Sequence, residues 1–209
     1  TIVVADAFVK GIKPYNIEKA YEISKASSVC AEELDGKAFK SIRPDCKAYL
    51  EECYVPEKLS DTLEYLLADY TMAKFAEALG KTDDAEFFMN RANRYNENYN
   101  EALQFMVPRK AEGEFVFEED RYDDDGTVES NIFQQSWFVP YDVFGLSKLF
   151  GEKRTIELLE EFFSRADFGA LTDGAGRIPG GGANRILFRN AELHGIFHAV
   201  KQIGSSTGD

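Results

Sequence analysis

Residues 128–142, VESNIFQQSWFVPYD, hold the side chains best suited to chemistry in this sequence. Glu129 and Asn131 stand where a helix would begin, and an apolar run follows them: Ile132, Phe133, Trp137, Phe138 and Val139. A carboxyl group beside such a cluster can have a raised pKa. It can then donate a proton near neutral pH. The alternative is structural, with Glu129 or Asn131 capping the helix and the aromatic residues in the core.

Helical patterns dominate the segments that must position these residues. Residues 59–79 carry a wide apolar face, with Ser60 as the expected N-cap and Gly80 as the stop. A second helix is predicted from Thr82 to about Asn100. The short link between the two helices predicts an antiparallel pair.

Further helices are predicted at 16–27, 46–52, 143–151, 153–165 and 189–202. Pro140 interrupts the helix that is expected to begin at Asn131. Residues 103–126 predict a small irregular or β-hairpin insertion, with strands at 105–106 and 115–117. The chain is therefore predicted to be mainly all-α, a single domain over 1–203 of paired antiparallel helices forming part of an α/α toroid. Residues 204–209 are predicted to be a disordered tail.

Composition excludes several classes of function. The formal net charge of −13 argues against non-specific binding to nucleic acid or to an anionic membrane. No apolar run reaches the length of a membrane span. Because the chain starts at Thr1 without a signal peptide, we interpret it as an excised or processed piece.

The cysteines and acidic residues give no metal motif. Cys30, Cys46 and Cys53 form no C-x-x-C pair, and an odd number leaves at least one unpaired. They are expected to be buried small apolar groups or surface thiols. The acidic run at 120–125 lacks the Glu that completes an EF-hand loop, since position 131 is Asn, so we interpret the run as a solvated turn.

Three segments together carry a resemblance to a known family. They read ADAFVKGIKPYNIEKAYE at 5–22, YVPEKLSDTLEYLLADY at 54–70 and ESNIFQQSWFVPYDVFGL at 129–146. In this order they resemble the calcium-dependent exo-α-mannosidases of glycoside hydrolase family 92, mostly α-1,2-mannosidases, over about residues 2–163. The resemblance implies a partial (α/α)6 catalytic domain, which in the family follows a β-sandwich domain in a much longer enzyme.

The resemblance also implies a mechanism. The family removes terminal α-linked mannose with inversion, and its general acid is the Glu of an E-G-N-x-W-Q segment, which corresponds to Glu129. A calcium ion holds the mannose hydroxyls, and the base is an Asp of a later segment that this chain lacks. The calcium ligands are expected to lie mostly outside the chain, so the metal-binding residues are unknown. The isolated chain is therefore expected to have little or no activity.

The resemblance assigns the substrate-binding residues Asn131, Phe133, Gln134, Trp137 and Asp142. Structural alternatives stay open: Asn131 as a helix cap, Trp137 as core, and Asp142 as the cap of the helix after Pro140. Asp69 matches the second Asp of the family's Y-D-D-W, or else is a buried structural carboxylate paired with a neighbouring helix. The chain departs from the family pattern at three positions: Ser130 replaces Gly, Phe133 replaces Trp and Tyr141 replaces His.

These features make the chain a predicted fragment of a hydrolase of carbohydrate metabolism, an α-mannosidase. Its expected partners are a mannose-containing oligosaccharide or N-glycan, together with the missing β-sandwich and the rest of the barrel. Apolar faces left open predict possible self-association. Family resemblance implies a periplasmic or secreted location. The alternative is a non-catalytic helical carbohydrate-binding or scaffold protein derived from such an enzyme.

Overall fold

A computed structural model describes residues 1–116, 122 and 124–164. Within these residues the chain is mainly helical, with two small antiparallel hairpins, so the predicted fold class is confirmed. The α-helices are α1 Ile2–Val9, α2 Ile17–Ser28, α3 Cys46–Glu52, α4 Leu59–Ala78, α5 Thr82–Ala92, α6 Ile132–Gln135, α7 Val143–Phe150 and α8 Glu152–Ser164. Among them, none combines the length and the apolar character that crossing a bilayer requires.

The chain divides into two compact units. Unit 1 contains Thr1–Pro56 and Asp61–Glu97, and unit 2 contains Glu57–Ser60 and Asn98–Asp209. The prediction of one domain over 1–203 stays a prediction. The predicted helix at 189–202 and the predicted tail at 204–209 lie outside the described residues.

The core of unit 1 joins α1, α2, α4 and α5. Its buried members are Ala5, Phe8, Tyr21, Met72, Ala73, Phe75, Ala76 and Phe88. Phe75 lies at the centre, with ring centroids 5.3 Å from both Phe8 and Tyr21. The apolar segment at the start of the chain is thus a helix, whose buried side faces α4 through Phe8. Burial of these large side chains supplies most of the driving force for folding.

Two predicted features of the first helix pair differ in the structure. α5 ends at Ala92 instead of Asn100, and Asn93–Asn98 form a 3-10 helix. This segment is rich in Asn, whose side chain competes with the helix for backbone hydrogen bonds. α4 begins at Leu59, so Ser60 lies inside the helix and is not its N-cap. Its hydroxyl bonds to distant residues instead, as described below.

The prediction that the cysteines are isolated groups is wrong for two of the three. Cys30 and Cys46 form a disulfide, with Cα atoms 6.0 Å apart, while Cys53 is a buried free thiol. Cys30 lies just beyond the end of α2, and Cys46 is the first residue of α3. The enclosed segment holds the hairpin of β1 Glu33–Leu34 and β2 Lys37–Ala38. Cysteine spacing alone does not determine pairing, which depends on how the chain folds.

In unit 2, the second hairpin pairs β3 Tyr99–Asn100 with β4 Phe105–Met106, with Tyr99 opposite Met106. The expected pairing of 105–106 with 115–117 is therefore wrong. Residues 108–116 form a separate hairpin-like turn, where the Val116 N–H donates to the Pro108 carbonyl at 2.9 Å. β4 adjoins α6 through Ser136, whose hydroxyl accepts from the Met106 N–H at 3.1 Å.

Candidate active site

Glu129 lies on the loop that leads into α6. The residue is exposed, and its backbone is left-handed with φ +57°. That conformation is uncommon for a residue other than Gly, and it costs on the order of 1–2 kcal/mol. The sequence interpretation placed this carboxyl beside the apolar cluster, but in the structure the residue is exposed. A group at the surface can exchange protons with a ligand, which a sealed carboxyl cannot.

Asn131 and Gln134 form the capping box of α6. The Asn131 side chain accepts from the Gln134 N–H at 2.9 Å, and the Gln134 Oε1 accepts from the Asn131 N–H at 3.1 Å. These bonds satisfy two backbone donors at the helix start. The structural alternative for Asn131 is thus observed. The Gln134 Nε2 atom is buried and has no hydrogen-bond partner among the described residues.

Phe133 and Trp137 belong to the apolar core of unit 2. They are 3% and 2% exposed. The Phe133 ring packs edge-on against Phe105 at 5.5 Å between centroids, and Trp137 packs edge-on against Phe150 at 5.3 Å. Phe162 of α8 lies 5.7 Å from Phe133. Burial on this scale stabilises the helices around the loop, and within this chain it keeps both rings from solvent.

Asp142 is the N-cap of α7. Its carboxylate accepts from the Gly145 N–H at 2.9 Å. The segment between α6 and α7 contains Pro140, and the helix predicted from Asn131 is interrupted there and restarts as α7. A carboxylate at this position also complements the positive end of the helix.

Asp69 lies in unit 1 and is fully buried. It accepts hydrogen bonds from Arg43 Nη1 at 3.1 Å, from Arg91 Nε at 2.7 Å and from the Tyr49 hydroxyl at 2.7 Å. Because Arg91 belongs to α5, the structural alternative for Asp69, a buried carboxylate paired with a neighbouring helix, is observed. Burial, together with the charge of Asp69, raises the pKa of the Tyr49 hydroxyl above its ordinary value.

A buried network of hydroxyl and amide groups, which the sequence did not reveal, lies behind the Glu129 loop. Ser60 and Ser130 both donate to the Gln135 Oε1, at 3.0 and 2.8 Å. The Ser60 Oγ also accepts from the Val128 N–H at 2.8 Å. All three side chains are less than 7% exposed. The one sequence signal was Ser130 itself, a polar residue where the resemblance expects Gly.

The described residues do not assemble a calcium site. Among them, no group of three or more His, Cys, Asp and Glu side chains lies close enough to hold a metal ion. Ca²⁺ takes six to eight oxygen ligands, largely carboxylates and carbonyls. The donor set within this part of the chain therefore does not fit the ion that the resemblance implies.

A comparison with known protein families shows to which family the chain belongs. Residues 1–191 match the glycosyl hydrolase family 92 catalytic domain. The chain belongs to this family. A comparison with curated proteins finds no match.

Solved structures of family 92 enzymes share the fold of the chain. The α-mannosidase BT3965 from Bacteroides thetaiotaomicron, in complex with mannoimidazole, is 31% identical with a TM-score of 0.68. That alignment covers 78% of this chain and 22% of the enzyme. The inverting mannosidase BT2199 from the same organism is 27% identical with a TM-score of 0.68, over 93% of this chain and 26% of the enzyme. The chain thus spans about a quarter of the length of these family 92 enzymes.

Proposed function

We propose that this chain supplies the general-acid part of an inverting family 92 α-mannosidase, with Glu129 as the acid. The proposal rests on one observation: the motif glutamate is exposed and held in a left-handed conformation at the entry to α6. Two relatives support the substrate and the outcome, since one is described in complex with mannoimidazole and another as an inverting mannosidase. The proposed substrate is a terminal α-linked mannose, with α-1,2 as the expected linkage.

Inverting glycoside hydrolysis needs two carboxyl groups on opposite faces of the sugar, about 6.5–9.5 Å apart. In the proposed reaction, Glu129 donates its proton to the oxygen of the departing sugar as the glycosidic bond breaks. A second carboxylate activates the water that attacks from the other face. We assign this base to a segment of the enzyme that this chain lacks, and we expect that segment also to give the acid the less polar surroundings that its role requires.

Calcium remains part of the proposal only at the level of the whole enzyme. The described residues lack a fitting donor set, so its ligands are assigned to other segments. No step of the proposed acid catalysis depends on that ion. The missing β-sandwich and the remainder of the barrel are the proposed partners of this chain, with self-association of the isolated chain as a further expectation.

The disulfide supports a location outside the cytoplasm. Cys30 and Cys46 are joined, and structural disulfides persist mainly in oxidising compartments. This agrees with the periplasmic or secreted location that the family resemblance implies. Fractionation of the native organism, with the disulfide trapped by alkylation before lysis, tests this location.

A variant of the acid tests the function in the protein as encoded, with every segment that accompanies this chain. Glu129→Gln should lower kcat on α-1,2-mannobiose by about 10²–10⁴-fold, because the departing sugar then leaves without a proton. The loss should be much smaller on a dinitrophenyl α-mannoside, whose leaving group needs no acid. Proton NMR of the first product should show inversion.

Glu57→Gln is the matched control. Glu57 is also exposed and left-handed, with φ +59°, and it belongs to the same unit. It should keep the activity of the unaltered protein on both substrates. If Glu129→Gln kept the activity of the unaltered protein on both substrates, the acid assignment would be refuted. Sugar binding without any turnover by the unaltered protein would favour the scaffold alternative.

A further inference from the structure

The conformation of Glu129 requires an external cause. A left-handed glutamate persists only where its surroundings impose that backbone. Glu129 itself is exposed. The residues on either side of it, Val128 and Ser130, are held by hydrogen bonds that constrain the backbone through it.

On the N-terminal side, the constraint comes from Ser60, at the start of α4. Its backbone N–H donates to the Gly126 carbonyl at 3.2 Å, and its Oγ accepts from the Val128 N–H at 2.8 Å. Gly126 is packed tightly here: a Cβ added to it would lie 2.6 Å from the Glu57 carbonyl oxygen. The loop before Glu129 is therefore fixed against the segment that leads into α4.

On the C-terminal side, the constraint comes from Gln135. Its Oε1 accepts from Ser130 at 2.8 Å and from Ser60 at 3.0 Å. Ser60 thus uses its single O–H donor on Gln135 and one lone pair on Val128. Both flanks of Glu129 are tied to the same buried Ser60–Gln135 pair. Disrupting such a pair leaves buried polar groups unsatisfied, which makes the arrangement costly to leave.

We propose that Ser60 and Gln135 are positioning residues for the acid Glu129. The inference rests on the proposed function, because it assigns these residues their role in that reaction. Reacting groups must be held within about 0.5 Å and 10–20° of the productive geometry. A loop released from Ser60 still binds sugar, but it presents the carboxyl to the glycosidic oxygen for a smaller part of the time. The effect of its loss should therefore fall on kcat and leave KM nearly unchanged.

The structural half of the inference is tested on this chain by NMR. Ser60→Ala should shift the backbone resonances of residues 128–130 away from left-handed values and speed amide exchange at Val128. Ser60→Thr keeps the hydroxyl and should restore both signals. Thr71→Ala is the matched control, since it removes from α4 a hydroxyl whose hydrogen bond among the described residues is to the Leu67 carbonyl, at 2.9 Å. It should leave residues 128–130 unchanged.

The functional half is tested in the protein as encoded. Ser60→Ala should lower kcat on α-1,2-mannobiose about tenfold with KM within about twofold. The loss should shrink on the dinitrophenyl α-mannoside, and a general loss of folded protein would instead affect both substrates equally. Ser60→Thr should recover most of the rate. If Ser60→Ala does not fold, Ser130→Ala removes one of the two bonds to Gln135 and should give a smaller change in the same direction.

The outcomes separate this inference from the function on which it rests. Unchanged loop resonances and unchanged kcat in Ser60→Ala would overturn the inference. The proposed function would still stand in that case if Glu129→Gln had lost its activity on α-1,2-mannobiose. A fully active Glu129→Gln would overturn the function, and the positioning role would fall with it, even where Ser60→Ala alters the loop. A loss on both substrates with KM raised in parallel would also contradict positioning.

Discussion

Asp69 and Glu129 are two carboxylates that the family resemblance selects, and their surroundings are opposite. Asp69 is fully buried and receives hydrogen bonds from two guanidinium groups and a tyrosine. Glu129 is exposed, and the buried bonds around it act on the backbone of its neighbours. Charged donors aimed at a carboxylate form strong hydrogen bonds that fix its position. Neutral donors aimed at the adjacent backbone fix position while leaving the carboxyl at the surface.

This contrast separates a structural carboxylate from a candidate catalytic one. A proton donor must reach its substrate and must change its protonation state during the reaction. Asp69 has no access to solvent, and its charge balances Arg43 and Arg91. Glu129 has the access, and its neighbours Val128 and Ser130 are hydrogen-bonded to Ser60 and Gln135. The two carboxylates thus lie in environments that suit different roles.

The largest expected effect comes from removing the buried charge. Asp69→Asn keeps the size of the side chain but leaves Arg43 and Arg91 buried without a countercharge. Breaking a buried pair in this way costs about 3–5 kcal/mol. Urea unfolding followed by far-UV circular dichroism measures the loss.

Asp6→Asn is the control for that variant. Asp6 pairs with Lys10 at 2.7 Å, but both side chains are more than half exposed. Exposed pairs contribute roughly 0–1 kcal/mol. If Asp69→Asn and Asp6→Asn lost the same free energy of unfolding, the distinction between the buried carboxylate and the surface carboxylate would not hold.

The disulfide gives the next largest effect. Cys30 and Cys46 enclose Arg43, and Cys46 starts the helix that carries Tyr49. Closing a loop of this length stabilises a fold by about 3 kcal/mol. Cys30→Ser with Cys46→Ser, or reduction of the unaltered protein, should therefore lower the melting temperature and speed amide exchange around Asp69.

Cys53→Ala tests whether the reductant acts through the bridge. Cys53 is a buried free thiol whose Sγ accepts from Arg94 Nη1 at 2.7 Å, and burial raises its pKa. The variant should retain the full sensitivity to reductant. A melting temperature that reductant leaves unchanged in the unaltered protein would contradict the proposed contribution of the disulfide.

Local patterns in the sequence predicted the parts of this structure that local physics determines. The helical fold class is confirmed, and the caps at Asn131 and Asp142 are found where the chain has a polar side chain before an apolar run. Two of the failures share one cause, which is tertiary contact. Ser60 has the pattern of an N-cap, but its hydroxyl bonds to residues 68 and 75 positions away. The Cys30–Cys46 pairing likewise depends on tertiary structure.

The sequence named the residues of the candidate site, but it did not reveal the buried hydrogen bonds that hold the loop around Glu129. The family segment placed Glu129, and its neighbours Asn131, Phe133, Gln134, Trp137 and Asp142 remain predicted substrate-binding residues. In the described structure Asn131, Gln134 and Asp142 take part in helix caps, and Phe133 and Trp137 are core residues. The Gln134 Nε2 and Trp137 Nε1 atoms are buried without a hydrogen-bond partner among the described residues. The chain spans about a quarter of the length of the family 92 structures it matches, so its own sequence could not resolve their binding roles.

The smallest expected effect compares two caps of the same residue type, one in each unit. Asn131 caps α6 and Asn16 caps α2, each accepting from a backbone N–H three residues ahead, at 2.9 and 3.0 Å. Changing either to Ala should cost about 1 kcal/mol of stability. Fluorescence of Trp137, the single tryptophan of the chain, reports the local change at α6 during urea unfolding.

The two caps should differ in a second measurement. Asn131 lies two residues after Glu129, so Asn131→Ala should also shift the backbone resonances of residues 128–130 and lower kcat in the protein as encoded. Asn16→Ala should reduce stability alone. Equal effects of both variants on kcat would mean that lost stability, and not the geometry of the Glu129 loop, accounts for the change. A cap that affects both stability and rate would place α6, through its first turn, in the same positioning system as Ser60 and Gln135.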